Sequence, residues 1–112
     1  MKIRAALAVV SALCAIALPL ACGGGDGGEV PTDPVLALGR DVYRGNCAQC
    51  HGSRGGGGSG VKLADVVAAR YPNIDDHIAV IRDGRSPRMP KFGDRLSREE
   101  IEAVARWERE GF

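Results

Sequence analysis

The chain has 112 residues, with 15 Lys and Arg against 14 Asp and Glu and a formal net charge of +1. It is long enough for one small domain and lacks the basic excess of a nucleic-acid binder. Its aromatic residues are Tyr43, Tyr71, Phe92, Trp107 and Phe112, and 16 positions are glycine, so the core needs a staple, a metal or a cofactor to complete it.

At the start, Lys2 and Arg4 precede an uncharged stretch over residues 5–21, which reads as a secretory signal rather than a spanning helix. Leu20-Ala21-Cys22, followed by the glycine-rich residues 23–28, resembles a bacterial lipoprotein signal. That resemblance implies cleavage before Cys22 and a lipid on its thiol, although Pro19 stands where the pattern prefers leucine. The alternative is ordinary cleavage after Ala21, or a retained anchor, with Cys22 a bystander. The expected organisation is a signal over residues 1–21, a flexible tether over 22–32 and one domain over 33–112. The domain then lies on the periplasmic side of a bacterial membrane, held by a lipid anchor.

Asp33-Pro34 marks a helix start, with Asp33 as N-cap and Pro34 at the first helical position. Val35, Leu38, Gly39, Val42 and Tyr43 then form one apolar stripe, and Gly45-Asn46 closes the helix. Residues 52–60 are a glycine-rich loop, with neither a preceding strand nor a closing Gly-Lys-Ser/Thr to make it a phosphate cradle. A short helix is expected over residues 63–70, stopped by Pro72. Another, capped by Asn73 or Asp75, has Ile74, Ile78 and Ile81 on one face and ends at Gly84. Pro87, Pro90 and Gly93 make residues 85–95 a loop, and Ser97 with Glu100 forms a capping box for the last helix. Ile101, Val104, Ala105 and Trp107 give that helix its buried side. No alternating strand pattern occurs, so the fold class is all-α.

Cys47-Ala48-Gln49-Cys50-His51 is a Cys-x-x-Cys-His motif, the attachment signature of a c-type haem. Residues three apart on a helical turn face the same way, so both thiols can meet the two vinyl groups of one porphyrin. His51 follows as the proximal iron ligand. A zinc site would want four ligands, and the domain adds only His77 to the motif. A thioredoxin-like pair needs a strand before it, and a plain disulfide would leave the core without support. Met89 is the one methionine besides Met1, and it stands in a loop between Pro87 and Pro90. A core-filling methionine would sit on a helix stripe, so Met89 is the expected sixth ligand. His77 is the rival for that position, although its helix face beside Asp75 and Asp76 suits an ordinary surface histidine.

Over roughly residues 33–110 the chain resembles the class I cytochrome c family. Gly39 and Tyr43, four apart on the first helix, match the family's contact with the last helix, where Val104 and Trp107 supply partners. The resemblance implies a small cytochrome c fold, three to five helices around one covalently bound haem c. The family often has Gly-Pro-x-Leu where this chain has Gly60-Val61-Lys62-Leu63. Val61 keeps the carbonyl that would accept the proximal histidine N–H, with looser geometry expected. Iron bound by both His51 and Met89 has no open position, so the expected function is single-electron transfer between redox partners, without catalysis by the chain itself. Arg82, Arg85, Arg88, Lys91 and Arg95 surround Met89 in sequence and suggest a basic rim for an acidic partner. The alternatives are a permanently bound haem subunit of an oxidoreductase, or a gas or redox sensor in which Met89 leaves the iron.

Overall fold

The computed structural model describes residues 28–112; the expected signal, Cys22 and most of the tether lie outside them. The described chain forms five helices in the order α1 (Pro34–Asn46), α2 (Ala48–His51), α3 (Val67–Arg70), α4 (Ile74–Asp83) and α5 (Arg98–Glu110). Pairing of extended backbone among these residues is limited to an isolated bridge between Arg85 and Met89. The all-α expectation holds. None of the described helices is long and apolar enough to cross a membrane.

Local chemistry sets the helix limits. Asp33 accepts from the amides of Val35 and Leu36 at 2.8 and 3.4 Å, and Pro34 follows it with no amide to satisfy. Asn73 caps α4 through the Asp75 amide, and Gly84 ends that helix with φ +71°, a left-handed conformation that glycine adopts without strain. Ser97 and Glu100 close a reciprocal capping box on α5, at 3.1 and 2.7 Å. The third helix is shorter than its sequence suggests. It covers only Val67–Arg70, while Leu63 and the residues after it form turns held by Leu63 and Ala64 amides on the Gly55 carbonyl.

α1 and α5 cross closely enough that the Gly39 backbone touches α5. A Cβ on Gly39 would overlap the Ala103 carbonyl and approach the Trp107 Cβ to 2.8 Å. Val42 and Tyr43 on α1 are buried, together with Ile101, Val104 and Ala105 on α5. Tyr43 and Trp107 both pack against the Phe112 ring, at 5.0 and 6.2 Å between centroids. The core continues through Leu63, Val67, Ile81 and Phe92. Of the three isoleucines expected on one face of α4, Ile81 is buried and Ile78 partly so. Ile74, at the helix tip, is exposed.

Candidate functional site

A cavity of about 1000 Å³ opens beside this core. Cys47, Cys50 and His51 line one part of it, and Met89 and Phe92 another; Val67 and Ile81 add apolar wall, and Tyr71, His77 and Glu108 complete it. The sequence-predicted haem residues are therefore gathered around one space, although they come from segments far apart in the chain.

The motif is shaped by a single turn. Cys47 ends α1, its amide bonded to the Tyr43 carbonyl at 2.8 Å, and its own carbonyl accepts from Cys50 and His51 at 3.1 and 3.0 Å. Both cysteines are free thiols. Cys47 is the more buried, and its thiol is pushed up to about 12, first by burial and then by the nearby Glu108 carboxylate. This thiol stays protonated at neutral pH, as a buried thiol beside an anion should.

His51 Nδ1 lies 2.7 Å from the Val61 carbonyl oxygen. A carbonyl only accepts, so Nδ1 carries the hydrogen and Nε2 keeps the lone pair a metal ligand needs. The loosening expected from the missing proline has not occurred. The glycine-rich loop instead wraps the motif, with the Gly57 amide on the His51 carbonyl at 2.7 Å and the Gly60 amide on the Cys50 carbonyl at 2.8 Å. A Cβ on Gly60 would stand 2.8 Å from His51 Nδ1, so a bare backbone is what lets the loop close on the imidazole. Tyr43 fastens the start of this loop by donating its hydroxyl to the Gly52 carbonyl at 2.6 Å. Burial raises the tyrosine's pKa well above its ordinary value, which keeps it a donor.

Met89 is held by its own backbone. Arg85 and Met89 exchange two amide-to-carbonyl bonds of 2.9 Å, closing a small loop around Ser86, Pro87 and Arg88. The side chain is half-buried at the cavity wall.

His77 corrects the sequence reading. It is not a surface residue but is 2 % exposed, with Nε2 2.8 Å from Glu108 Oε2 and its ring stacked on Tyr71 at 5.6 Å. Asp75 and Asp76 point to an exposed helix face and are exposed themselves, but His77 lies on the opposite side of the turn, toward α5. Glu108 was not singled out from sequence. Its signal was the spacing Ile101, Val104, Ala105, Glu108, which puts it on the buried stripe of α5.

The basic residues divide into two groups. Arg82 and Lys91 pair with Asp83 and Asp94, at 2.8 and 2.7 Å, away from the cavity. Arg85, Arg88 and Arg95 are exposed and also line it. The Arg85 guanidinium donates to the Tyr71 hydroxyl at 2.9 Å, and the Arg95 guanidinium lies 5.5 Å from the Phe92 ring centroid.

These residues fit a c-type haem. The cavity wall is mainly apolar, and it presents two free thiols three residues apart, an imidazole whose Nε2 lone pair is available, and one thioether sulfur. Among the described residues no group of three or more His, Cys, Asp and Glu side chains could hold a separate metal ion.

Comparison with known proteins agrees. Residues 34–107 match the family described as cytochrome c oxidase, cbb3-type, subunit III. Chloroplastic cytochrome c6 of Chlamydomonas reinhardtii is 38% identical over 77 residues, covering 64% of this chain and 51% of that protein. Cytochrome c6 of Leptolyngbya boryana is 35% identical over 72 residues, covering 62% of this chain and 84% of that protein. The chain thus spans about half of the algal relative and most of the cyanobacterial one. The crystal structure of cytochrome cL from Methylophaga aminisulfidivorans MPT superposes with a TM-score of 0.62 at 20% identity, over 78% of this chain and 70% of that one, which shows a shared fold. With the motif, the cavity and the fold in agreement, the chain belongs to the cytochrome c family, in the group described as cbb3-type oxidase subunit III, and is a small monohaem c-type cytochrome that binds its haem covalently.

Proposed function

We propose that this protein carries single electrons between redox partners outside the cytoplasmic membrane, with His51 and Met89 as the axial ligands of its haem. The observation that supports this most is the placing of the His51 imidazole and the Met89 thioether on the wall of one cavity that also holds both thiols. Cys47 and Cys50 would hold the cofactor by two thioether bonds, each formed by adding an S–H across a vinyl group. When bound, haem c supplies an iron that gains and loses one electron. His51, with its hydrogen directed to Val61, would offer Nε2 to that iron and Met89 its soft sulfur, a pair that favours the reduced state relative to two histidines. With both ligand positions supplied by the chain, the haem would exchange electrons without taking a substrate at its iron. Arg85, Arg88 and Arg95 are exposed and line the same cavity, where they would attract an acidic partner. A lipid on Cys22, followed by the glycine-rich tether, keeps the domain near the membrane and free to swing.

A second reading, a haem subunit held permanently in a larger oxidoreductase, is favoured by the match to a family described from an oxidase subunit. Salt separates the two, since a shuttle leaves its partner at moderate ionic strength and a subunit stays.

Visible spectra of the purified protein test the ligand assignment. The reduced form should show a sharp c-type α-band, and the oxidised form a weak far-red sulfur-to-iron band that Met89→Ala abolishes. A far-red band surviving in Met89→Ala, or missing from the unaltered protein, would refute Met89 as ligand. No haem after export in a host able to mature c-type cytochromes would remove the whole reading.

A further inference from the structure

Two buried polar or charged residues stand out among the described residues, His77 and Glu108, and electron transfer as proposed above uses neither. His77 on α4 is 2 % exposed and Glu108 on α5 is 5 % exposed. Nε2 and Oε2 meet at 2.8 Å, and both side chains line the cavity. A buried ion pair recovers little more from its attraction than it loses on desolvation, so two apolar side chains would join α4 to α5 at least as well. Helix packing alone does not explain this choice of residues.

The hydrogen bonding of the pair leaves one place unfilled. Glu108 as a carboxylate accepts from His77 Nε2–H, so Nδ1 holds a lone pair. Nδ1 is buried and has no partner. The pair therefore has two charge states. With one proton it carries a net −1, and with a second proton on Nδ1 it is neutral. Both states sit in a wall of low dielectric, where a change of charge in the cavity is felt strongly.

The other ionisable groups around the pair are accounted for. From α1 and its C-cap, the Tyr43 hydroxyl, which donates to Gly52, and the Cys47 thiol lie near Glu108, and both are held protonated chiefly by burial. As a thioether Cys47 would have given its S–H hydrogen to the vinyl carbon, which removes a neighbour that otherwise bonds Glu108. Tyr71 stacks on His77, with its hydroxyl taken by Arg85 and its carbonyl by Arg109 at 2.7 Å. Asp75 and Asp76, on α4 itself, are exposed. Within this set the buried, unpartnered Nδ1 of His77 is the position left open to a further proton.

Resting on the haem-based electron transfer above, we propose that the His77–Glu108 pair is a proton site coupled to the electron: it takes one proton from water when a reduced partner delivers one electron, and releases it when the electron leaves. One electron and one proton enter together, an N–H bond forms at Nδ1, and no other bond changes. The domain's net charge is then the same in both redox states. The sign follows from electrostatics. A net −1 beside the iron favours its more positive state, and neutralising the pair favours the less positive one, so reduction raises the pair's affinity for a proton. Equivalently, the midpoint potential falls as pH rises.

The test is a spectroelectrochemical titration of the haem-loaded protein from about pH 4 to about pH 9, a range spanning carboxylate and imidazole ionisation. The unaltered protein, Glu108→Gln and the double variant His77→Leu/Glu108→Leu are compared. In the unaltered protein the potential should fall with pH over a window, approaching about 59 mV for each tenfold change in proton concentration. The double variant, whose apolar pair preserves the helix contact, should show a flat potential through that window, and Glu108→Gln should flatten it without altering the size of the buried side chain. A potential independent of pH in the unaltered protein would overturn the proposal. So would a slope that persists in both variants, which would assign the proton to the carboxylates of the haem. The α-band and the far-red band, recorded in the same cell, report haem attachment and Met89 ligation separately. Their presence with a flat potential removes only the coupling, and their absence removes the reading beneath it.

Discussion

His51 is aimed by one hydrogen bond, and one missing side chain makes that bond possible. Gly60 leaves room for the Val61 carbonyl to reach Nδ1 at 2.7 Å, and a bond of this kind raises the basicity of a metal-binding imidazole. Gly60→Ala puts a methyl 2.8 Å from that nitrogen, so the loop must retreat and the bond must lengthen. With His51 as the proposed ligand, a poorer donor would stabilise ferric iron less, and the midpoint potential should rise; an unchanged potential in the variant would show that the Val61 bond does not tune His51. The same scale shows what a sequence can hide. The Cys47, Cys50 and His51 motif stands out in the sequence because it is local, five consecutive residues on one turn. Met89 stood out because prolines flank it and no helix stripe could use it. His77 was misread because its sequence neighbours are acidic and exposed, while the group that buries it, Glu108, lies 31 residues away. Glu108 itself was masked by the charged run around it, Arg106 to Glu110.

At the scale of elements, helix ends were legible and helix lengths less so. Asp33-Pro34, Asn73, Gly84 and the Ser97–Glu100 box each act within three or four residues, and each stands where the sequence placed it. The turn preceding α3 was not legible, because Leu63 and Ala64 bond to the Gly55 carbonyl rather than to a helical neighbour, a tertiary preference that outweighs local propensity. The crossing of α1 over α5 depends on Gly39, where backbone meets backbone. Gly39→Ala forces these helices apart and should destabilise the domain by about 1–3 kcal/mol, the usual effect of overfilling a packed contact. Chemical denaturation of the haem-loaded protein measures this as an earlier midpoint. A midpoint equal to that of the unaltered protein would mean that the helices can separate at no cost.

For the whole molecule, the near-balance of charge in the sequence conceals an uneven surface. Arg82 and Lys91 are neutralised by adjacent aspartates, whereas Arg85, Arg88 and Arg95 meet the cavity mouth. Electron transfer to a physiological acceptor should therefore slow as salt rises through the range where the Debye length falls below about 10 Å, and Arg88→Glu should slow it further at low salt. Rates that ignore ionic strength would exclude electrostatic steering by this rim. The cavity has a consequence of another kind. A space of about 1000 Å³ lies beside a core of short aliphatic residues and a few aromatic rings, so the polypeptide by itself has little to close upon. A group that fills this space adds its binding free energy to the stability of the fold, so attachment is expected to come before the final packing. Cys47 and Cys50 would then be joined to a porphyrin while the chain is still open enough to admit it, and α4, α5 and the Met89 loop would pack afterwards, around a group already in place.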